Sequence, residues 1–247
     1  MLRVGVIGCG GMGRDHIRRL TEKIQGAEVV AVSDVFEESA RKAAEICGAK
    51  VYADSKELIN AENVDAVFIV SPGFAHVDSL LQAIEAGKRI FCEKPLCTTA
   101  EDCLKVVKAE EAAGKHLIQL GFMRRYDKGY QQIKEALATG EYGEPLILHC
   151  THRNPEVGTN YNTPMAVHDT AIHEIDVLHW LVDDEYESAQ VVIPRVTKYS
   201  HSELKDPQIM MLRTKKGVCI DVEVFVNCKF GYDINCEVVC ELSLIHI

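Results

Sequence analysis

Apolar residues fall in short, nearly continuous runs through the first half of the chain: LRVGVIG (residues 2–8), AEVVAVSD (27–34), DAVFIVS (65–71), KRIFCE (88–93) and HLIQLGF (116–122). Val and Ile are frequent in them, as in strands of a parallel sheet covered on both faces. Between them apolar positions recur at helical spacing over Asp15–Gln25, Phe36–Ile46, Ala75–Ala86 and Ala100–Ala113. Gly48, Gly87 and Gly114 stand where helix C-terminal caps belong. Repeated β-α units of this length predict an α/β fold, with a doubly wound Rossmann parallel sheet over residues 1–122.

After Phe122 the pattern changes. Helical spacing over Lys128–Ala138, a turn at GEYGEP, a strand over Leu146–Thr151 and strict alternation through KGVCIDVEVFVNCKFGYDINCEVVC follow. They predict an α+β domain over residues 123–247 with a mainly antiparallel, open sheet. The strands run to Cys240 and the sequence stops at ELSLIHI, so the second domain reads as incomplete at its C-terminus. An unpaired sheet edge is expected there, with Ile234, Val238, Leu242, Leu244 and Ile245 contributing exposed apolar surface. Such a chain is expected to be poorly soluble or weakly active beside an extended form.

One stretch of the second half stands apart. Met165–Leu181 (MAVHDTAIHEIDVLHWL) has no Gly or Pro after Pro164 and reads as one helix. At about 100° per residue, Asp169, His173 and Asp176 fall within roughly 60° of one another on one stripe. Ala171, Ile172, Ile175, Val177, Leu178, Leu181 and Val182 occupy much of the remaining circumference. A helix apolar on several sides is buried, so the stripe is expected to face an internal cleft. Two carboxylates and an imidazole are costly to desolvate unless paired or used, and so suggest proton transfer. A metal site is the rival reading. His168 and His179 project away from the stripe, and no metal is expected.

Composition narrows the classes. The chain has 247 residues, 47% hydrophobic and 26% charged, with a formal net charge of −10. No like-charge run favours nucleic acid or an anionic membrane surface, and no apolar run approaches the ~20 residues of a membrane span. Glycines interrupt the N-terminal apolar run at once, unlike a signal peptide. The ten cysteines are scattered, and the closer pairs, Cys92/Cys97 and Cys236/Cys240, lack the C-x2-C spacing of a zinc site. They read as reduced, mostly buried thiols of a cytoplasmic protein.

The candidate chemistry begins at the first turn. Gly8, Gly10 and Gly13 form G-x-G-x-x-G directly after the first strand, enclosing Gly11 and Met12, and Asp34 ends the second strand 21 positions after Gly13. Such a turn lets backbone approach a pyrophosphate at a helix N-terminus. The acidic residue accepts hydrogen bonds from ribose hydroxyls and repels a 2′-phosphate, so NAD is expected over NADP. Ser71-Pro72 ends a later strand and Glu93-Lys94-Pro95 another, at the edge where such sheets bind ligands. Ser71, Pro72, His76, Glu93 and Lys94 complete the expected cofactor contacts. A lysine at that edge can also stabilise a developing alkoxide.

With these residues in view, the chain resembles the glucose–fructose oxidoreductase/inositol dehydrogenase family from residue 1 to about 240. FCEKPL, QLGFMRRYDKGY, HRNPEVG, DTAIHEIDVLHWL, LKDPQI and VNCKFGYDI carry the likeness. The resemblance implies NAD-linked oxidation of a ring hydroxyl of a cyclic polyol, foremost myo-inositol to its 2-keto form. A scyllo-inositol or glucose-type dehydrogenase of the same family is the alternative, and a non-catalytic NAD-binding protein the competing class. The implied catalytic set is Lys94, Asp169 and His173. His173 would be the general base, Asp169 would orient it, and Lys94 would stabilise the alkoxide. Arg124, His152, Asn154, Thr170, Asp176 and Tyr232 match positions implied to line the polyol pocket with those three. Each has a plainer role open to it, such as a surface salt bridge for Arg124 or a cap for Asn154. A homo-oligomer is implied too, a tetramer in longer relatives. Those relatives continue well past this chain's end, and ELSLIHI departs from their pattern.

Overall fold

The computed structural model describes residues 1–247, and the chain divides into two compact units, Met1–Gly121 and Phe122–Ile247. The first unit runs β1 (Leu2–Ile7), α1 (Gly11–Glu22), β2 (Ala27–Ser33), α2 (Glu37–Cys47), β3 (Lys50–Val51), α3 (Ser55–Ile59), β4 (Ala66–Ile69), α4 (His76–Glu85), β5 (Arg89–Cys92), α5 (Ala100–Ala113) and β6 (Ile118–Leu120). Its six strands are all parallel, in the order β3-β2-β1-β4-β5-β6. Helices cover both faces and leave two apolar cores, one around Val4, Val6, Ile17 and Val32, the other around Val67, Ile69, Leu80 and Ile90. The chain reverses its direction of build between β1 and β4, and ligands of such sheets bind outside the strand ends at that point.

The helix termini follow local chemistry. The Thr99 hydroxyl accepts the Asp102 N–H at 3.1 Å to start α5, and Gly114 ends it at φ 66°. Helix α1 starts four residues before the sequence pattern places it, because the glycine turn runs straight into it. The pattern missed β3 and α3, which at two and five residues are too short to express a period.

The second unit runs α6 (Lys128–Ala138), β7 (Pro145–Arg153), α7 (Ile172–Val182), β8 (Tyr186–Val192), β9 (Gln208–Thr214), β10 (Cys219–Phe225), β11 (Asp233–Cys240) and β12 (Leu244–His246). The sheet order is β12-β11-β7-β10-β9-β8, with β7 and β10 parallel and every other neighbour antiparallel. One face, bearing Leu148, Cys150, Ile220, Val222 and Val238, packs with Tyr130 and Ile133 of α6 and Leu178 and Leu181 of α7 into one core. The other face carries ion pairs such as Arg153 with Glu223 and Asp233. That division is the alternation visible in the sequence.

Two expectations need correction. Residues 165–181 are not one α-helix: Ala166–Ala171 forms a π-helical turn that leads into α7. A π rung spans i→i+5, so the turn holding Asp169 does not keep the α-helical alignment assumed for the stripe. The terminal apolar segment is not all bare either. Leu244–His246 pairs with β11, Val238 is fully buried, and Ile245 packs against the core. Of the five residues named, Leu242 and Leu244 are exposed. No helix is long and apolar enough to cross a membrane.

Candidate active site

In the first unit the glycine turn is shaped by contacts that no side chain could enter. Gly8 has φ +95°, and a Cβ on it would stand 2.5 Å from the Ser71 amide nitrogen. A Cβ on Gly13 would stand 2.0 Å from the Gly8 oxygen, so the turn and α1 pack backbone to backbone. Gly10 and Gly11 have nothing within 4 Å of such an atom, which leaves that side of the turn open. No side chain caps α1 and no acidic residue lies in its first turn. Its first amides are therefore not taken up by side-chain caps of the protein itself, which suits them to an anion. Met12 is exposed on that turn.

Asp34 is tied to the same turn. Its Oδ2 accepts the Cys9 N–H at 2.6 Å and its Oδ1 the Phe36 N–H at 2.8 Å. Each carboxylate oxygen keeps a further lone pair for a hydroxyl donor. Burial and the Asp34 carboxylate push the Cys9 thiol up to about 12, so no thiolate opposes an anionic ligand here. The Ser71 hydroxyl is buried and makes no hydrogen bond within the protein. An open glycine turn, a helix start without its own anion, an anchored carboxylate and an unused hydroxyl suit a dinucleotide.

The Lys94 turn is held from two sides. Glu93 Oε1 meets His16 Nε2 at 2.8 Å, and Glu93 Oε2 accepts the Lys94 N–H at 3.2 Å. The His16 ring lies edge-on to Phe91 and Phe68, whose rings stack with centroids 4.7 Å apart. His16 was missed from sequence. The clue was the acid of Glu-Lys-Pro, since a half-buried carboxylate requires a partner. His76, expected among the cofactor contacts, is instead fully buried, with its ring nitrogens on the carbonyls of Ser71 and Pro95.

In the second unit Arg124, His152, His173 and Tyr232 come together. The His152 ring centroid lies 6.1 Å from that of His173 and 6.0 Å from that of Tyr232. His173 is buried and Tyr232 is exposed. Arg124 is no surface salt bridge: it is buried and ion-paired with Glu174, the residue after His173. His152 Nδ1 lies 3.0 Å from Glu174 and 3.1 Å from Arg124, and Arg124 also donates to the Tyr130 hydroxyl at 3.2 Å. Burial raises the Tyr130 phenol, which stays neutral as it accepts. Glu174 was not foreseen, because it reads as a solvated position in a pattern where its partner is invisible.

The remaining expected residues are held in their own ways. Asp176 is taken by Arg125, whose Nε donates to it at 2.8 Å; the pair raises the Arg125 guanidinium and keeps it charged. Asp169 bonds His168 Nδ1 at 2.9 Å, although an α-helical projection sends the two apart. The Thr170 hydroxyl lies 2.6 Å from the Tyr161 hydroxyl. Asn154 bridges strand ends through its backbone, donating to the Phe225 carbonyl and accepting from Cys228 N–H. No group of three His, Cys, Asp or Glu side chains is arranged to hold a metal ion, and all ten cysteines are free.

A doubly wound parallel sheet with this glycine turn and anchored acidic residue defines a dinucleotide-binding domain. Residues 2–122 match the oxidoreductase family with an NAD-binding Rossmann fold, and residues 130–245 match the GFO/IDH/MocA C-terminal domain. The chain belongs to the GFO/IDH/MocA family, and its first unit is an NAD-binding Rossmann domain. It is 55% identical over 248 residues to the inositol 2-dehydrogenase/D-chiro-inositol 3-dehydrogenase of Shouchella clausii, covering 100% of this chain and 72% of that one. With the inositol 2-dehydrogenase of Pseudomonas syringae it shares 56% over 245 residues, covering 98% of this chain and 73% of the relative. Among solved structures it is similar to the myo-inositol dehydrogenase of Lactobacillus casei in complex with NAD(H) and myo-inositol. The TM-score is 0.97 at 47% identity, covering 100% of this chain and 74% of that one.

Asp34 sets a measurable expectation here. Asp34→Ala removes an acceptor for ribose hydroxyls and the repulsion of a 2′-phosphate. The NAD-to-NADP ratio of dissociation constants then shifts toward NADP, by roughly tenfold for each 1.4 kcal/mol lost. An unchanged ratio in fluorescence titrations would leave Asp34 with its turn-anchoring role alone.

Proposed function

We propose that this protein is an NAD-dependent inositol dehydrogenase that oxidises a ring hydroxyl of myo-inositol to the 2-keto product. The observation that carries the reading is the likeness to the Lactobacillus casei enzyme, whose structure holds NAD(H) and myo-inositol. Bound NAD supplies the hydride acceptor. His173 removes the hydroxyl proton, oriented by Asp169, and Lys94 stabilises the alkoxide oxygen. Arg124, His152, Asn154, Thr170, Asp176 and Tyr232 supply the polyol's hydrogen-bonding environment, some directly and some through the Glu174 and Arg125 pairs. Gly8, Gly10, Gly11, Met12, Gly13, Asp34, Ser71 and Pro72 seat the dinucleotide, with Glu93 and His76 bracing its neighbours.

The test is NADH formation on myo-inositol, scyllo-inositol and D-glucose. Preference for myo-inositol is expected. Preference for glucose would make it a sugar dehydrogenase, and NAD binding without oxidation of any polyol would make it a cofactor-binding protein. The protein works as a homo-oligomer in the cytoplasm; the exposed Leu146, Ile147, Val191 and Val192 of the second sheet and the free thiols support this. Light scattering on the purified protein reads its mass directly.

A further inference from the structure

The imidazole of His76 is the first side chain of α4 and is shut off from solvent. Its Nε2 lies 2.7 Å from the Ser71 carbonyl oxygen and its Nδ1 2.9 Å from the Pro95 carbonyl oxygen. The Leu96 carbonyl and the Cys92 sulfur flank the same Nδ1 at 3.3 and 3.4 Å. Carbonyl oxygens only accept, so the ring nitrogen that carries the proton donates to its carbonyl while the other nitrogen stands against the second. The two carbonyls belong to different turns, one after β4 and one after β5. A rigid ring with a nitrogen on each holds them at one separation.

What those turns carry gives the tie its meaning. Ser71 backs directly onto Gly8 of the glycine turn, and Pro95 follows Lys94. The turns also interlock, since a Cβ on Gly73 would stand 3.0 Å from Pro95 Cγ. We propose that His76 is a positioning residue that fixes the Lys94 turn against the Ser71 turn, and so sets where the lysine stands relative to the dinucleotide cradle. This rests on the reading of Lys94 as the group that stabilises the reacting oxygen.

Two near-isosteric substitutions cut the two ties separately. The amide nitrogen of His76→Asn stands in for Nδ1 and keeps the Pro95 contact. That of His76→Gln stands in for Nε2 and keeps the Ser71 contact. With Gln the Lys94 turn is released, and kcat for inositol oxidation at saturating NAD falls by about tenfold or more, within the roughly 100-fold that a 1 Å misplacement costs. NAD affinity by fluorescence titration stays within about twofold of wild type. With Asn the split reverses: NAD binds several-fold more weakly and kcat is largely kept. Melting temperatures of both forms are recorded alongside. Wild-type kcat and NAD affinity in both variants would overturn the proposal. So would losses of both quantities in one proportion that follows melting temperature. If the wild-type protein binds NAD and oxidises no polyol, the function reading fails on its own. The titration then decides for His76 without turnover: weaker NAD binding by Asn than by Gln supports the tie, and equal affinities overturn it.

Discussion

His173→Gln keeps its NAD and loses its turnover. The glycine turn and Asp34 proposed to seat the dinucleotide belong to the first unit, while His173 lies in the second, so the titrated NAD affinity is expected to stay at the wild-type value. Gln keeps a polar side chain of similar reach beside His152, whose ring lies 6.1 Å from that of His173, which favours intact packing. The chemical step suffers instead. General-base catalysis contributes typically 10²–10⁴-fold, and kcat at saturating NAD and myo-inositol is expected to fall in that range. A loss under about tenfold would move the base elsewhere. His168, which bonds Asp169 at 2.9 Å, is then the first candidate.

Glu174→Ala destabilises the second unit sharply. The substitution leaves the Arg124 guanidinium buried with His152 and Tyr130 as its remaining partners, neither of them an anion. Breaking a buried pair from one side costs about 3–5 kcal/mol. At roughly 2–4 °C per kcal/mol for a chain of this size, the melting temperature falls by about 6–20 °C. The double change Arg124→Met with Glu174→Leu removes both charges and regains part of that loss, the remainder reflecting His152 and the Tyr130 hydroxyl, which lose their partners. It also forfeits whatever Arg124 contributes to polyol binding, read as a raised KM with NAD affinity kept. A melting temperature for Glu174→Ala within a degree or two of wild type would mean that water reaches the guanidinium after all.

The first unit was legible because its information is local. Strand runs, glycine caps and the Gly8–Gly13 turn each declare themselves within a dozen residues. The ends of α1 and the two short elements β3 and α3 were lost, since a turn of glycine carries no period and five residues show less than two turns of helix. In the second unit the helix around His173 was legible as a buried helix and misread in detail. MAVHDTA spans too few residues to show which period it follows, so nothing in it separates a π turn from an α turn. The pairing of acids was hidden for a different reason. Asp176 finds Arg125 51 positions upstream, and Glu174 meets His152 22 positions upstream, so residue types could propose chemistry but not partners. His76 shows the limit from the other side. The sequence placed it among the cofactor contacts, and only the fold shows its buried ring between the Ser71 and Pro95 carbonyls.

The parallel pairing of β7 with β10 bears on how the chain is made. β7 ends at Arg153, and its two neighbours, β10 and β11, begin at Cys219 and Asp233. At about 5–20 residues per second, a nascent chain holds β7 without either lateral partner for several seconds. Through that interval Leu148 and Cys150, which end fully covered, have α6 and then α7 to lie against but no sheet. Local hairpins such as β9–β10 can close early, whereas the strand made first is seated last, between two made later. Slower synthesis across residues 154–240 lengthens the interval in which β7 lacks its sheet neighbours, and a holding chaperone would shield β7 during it.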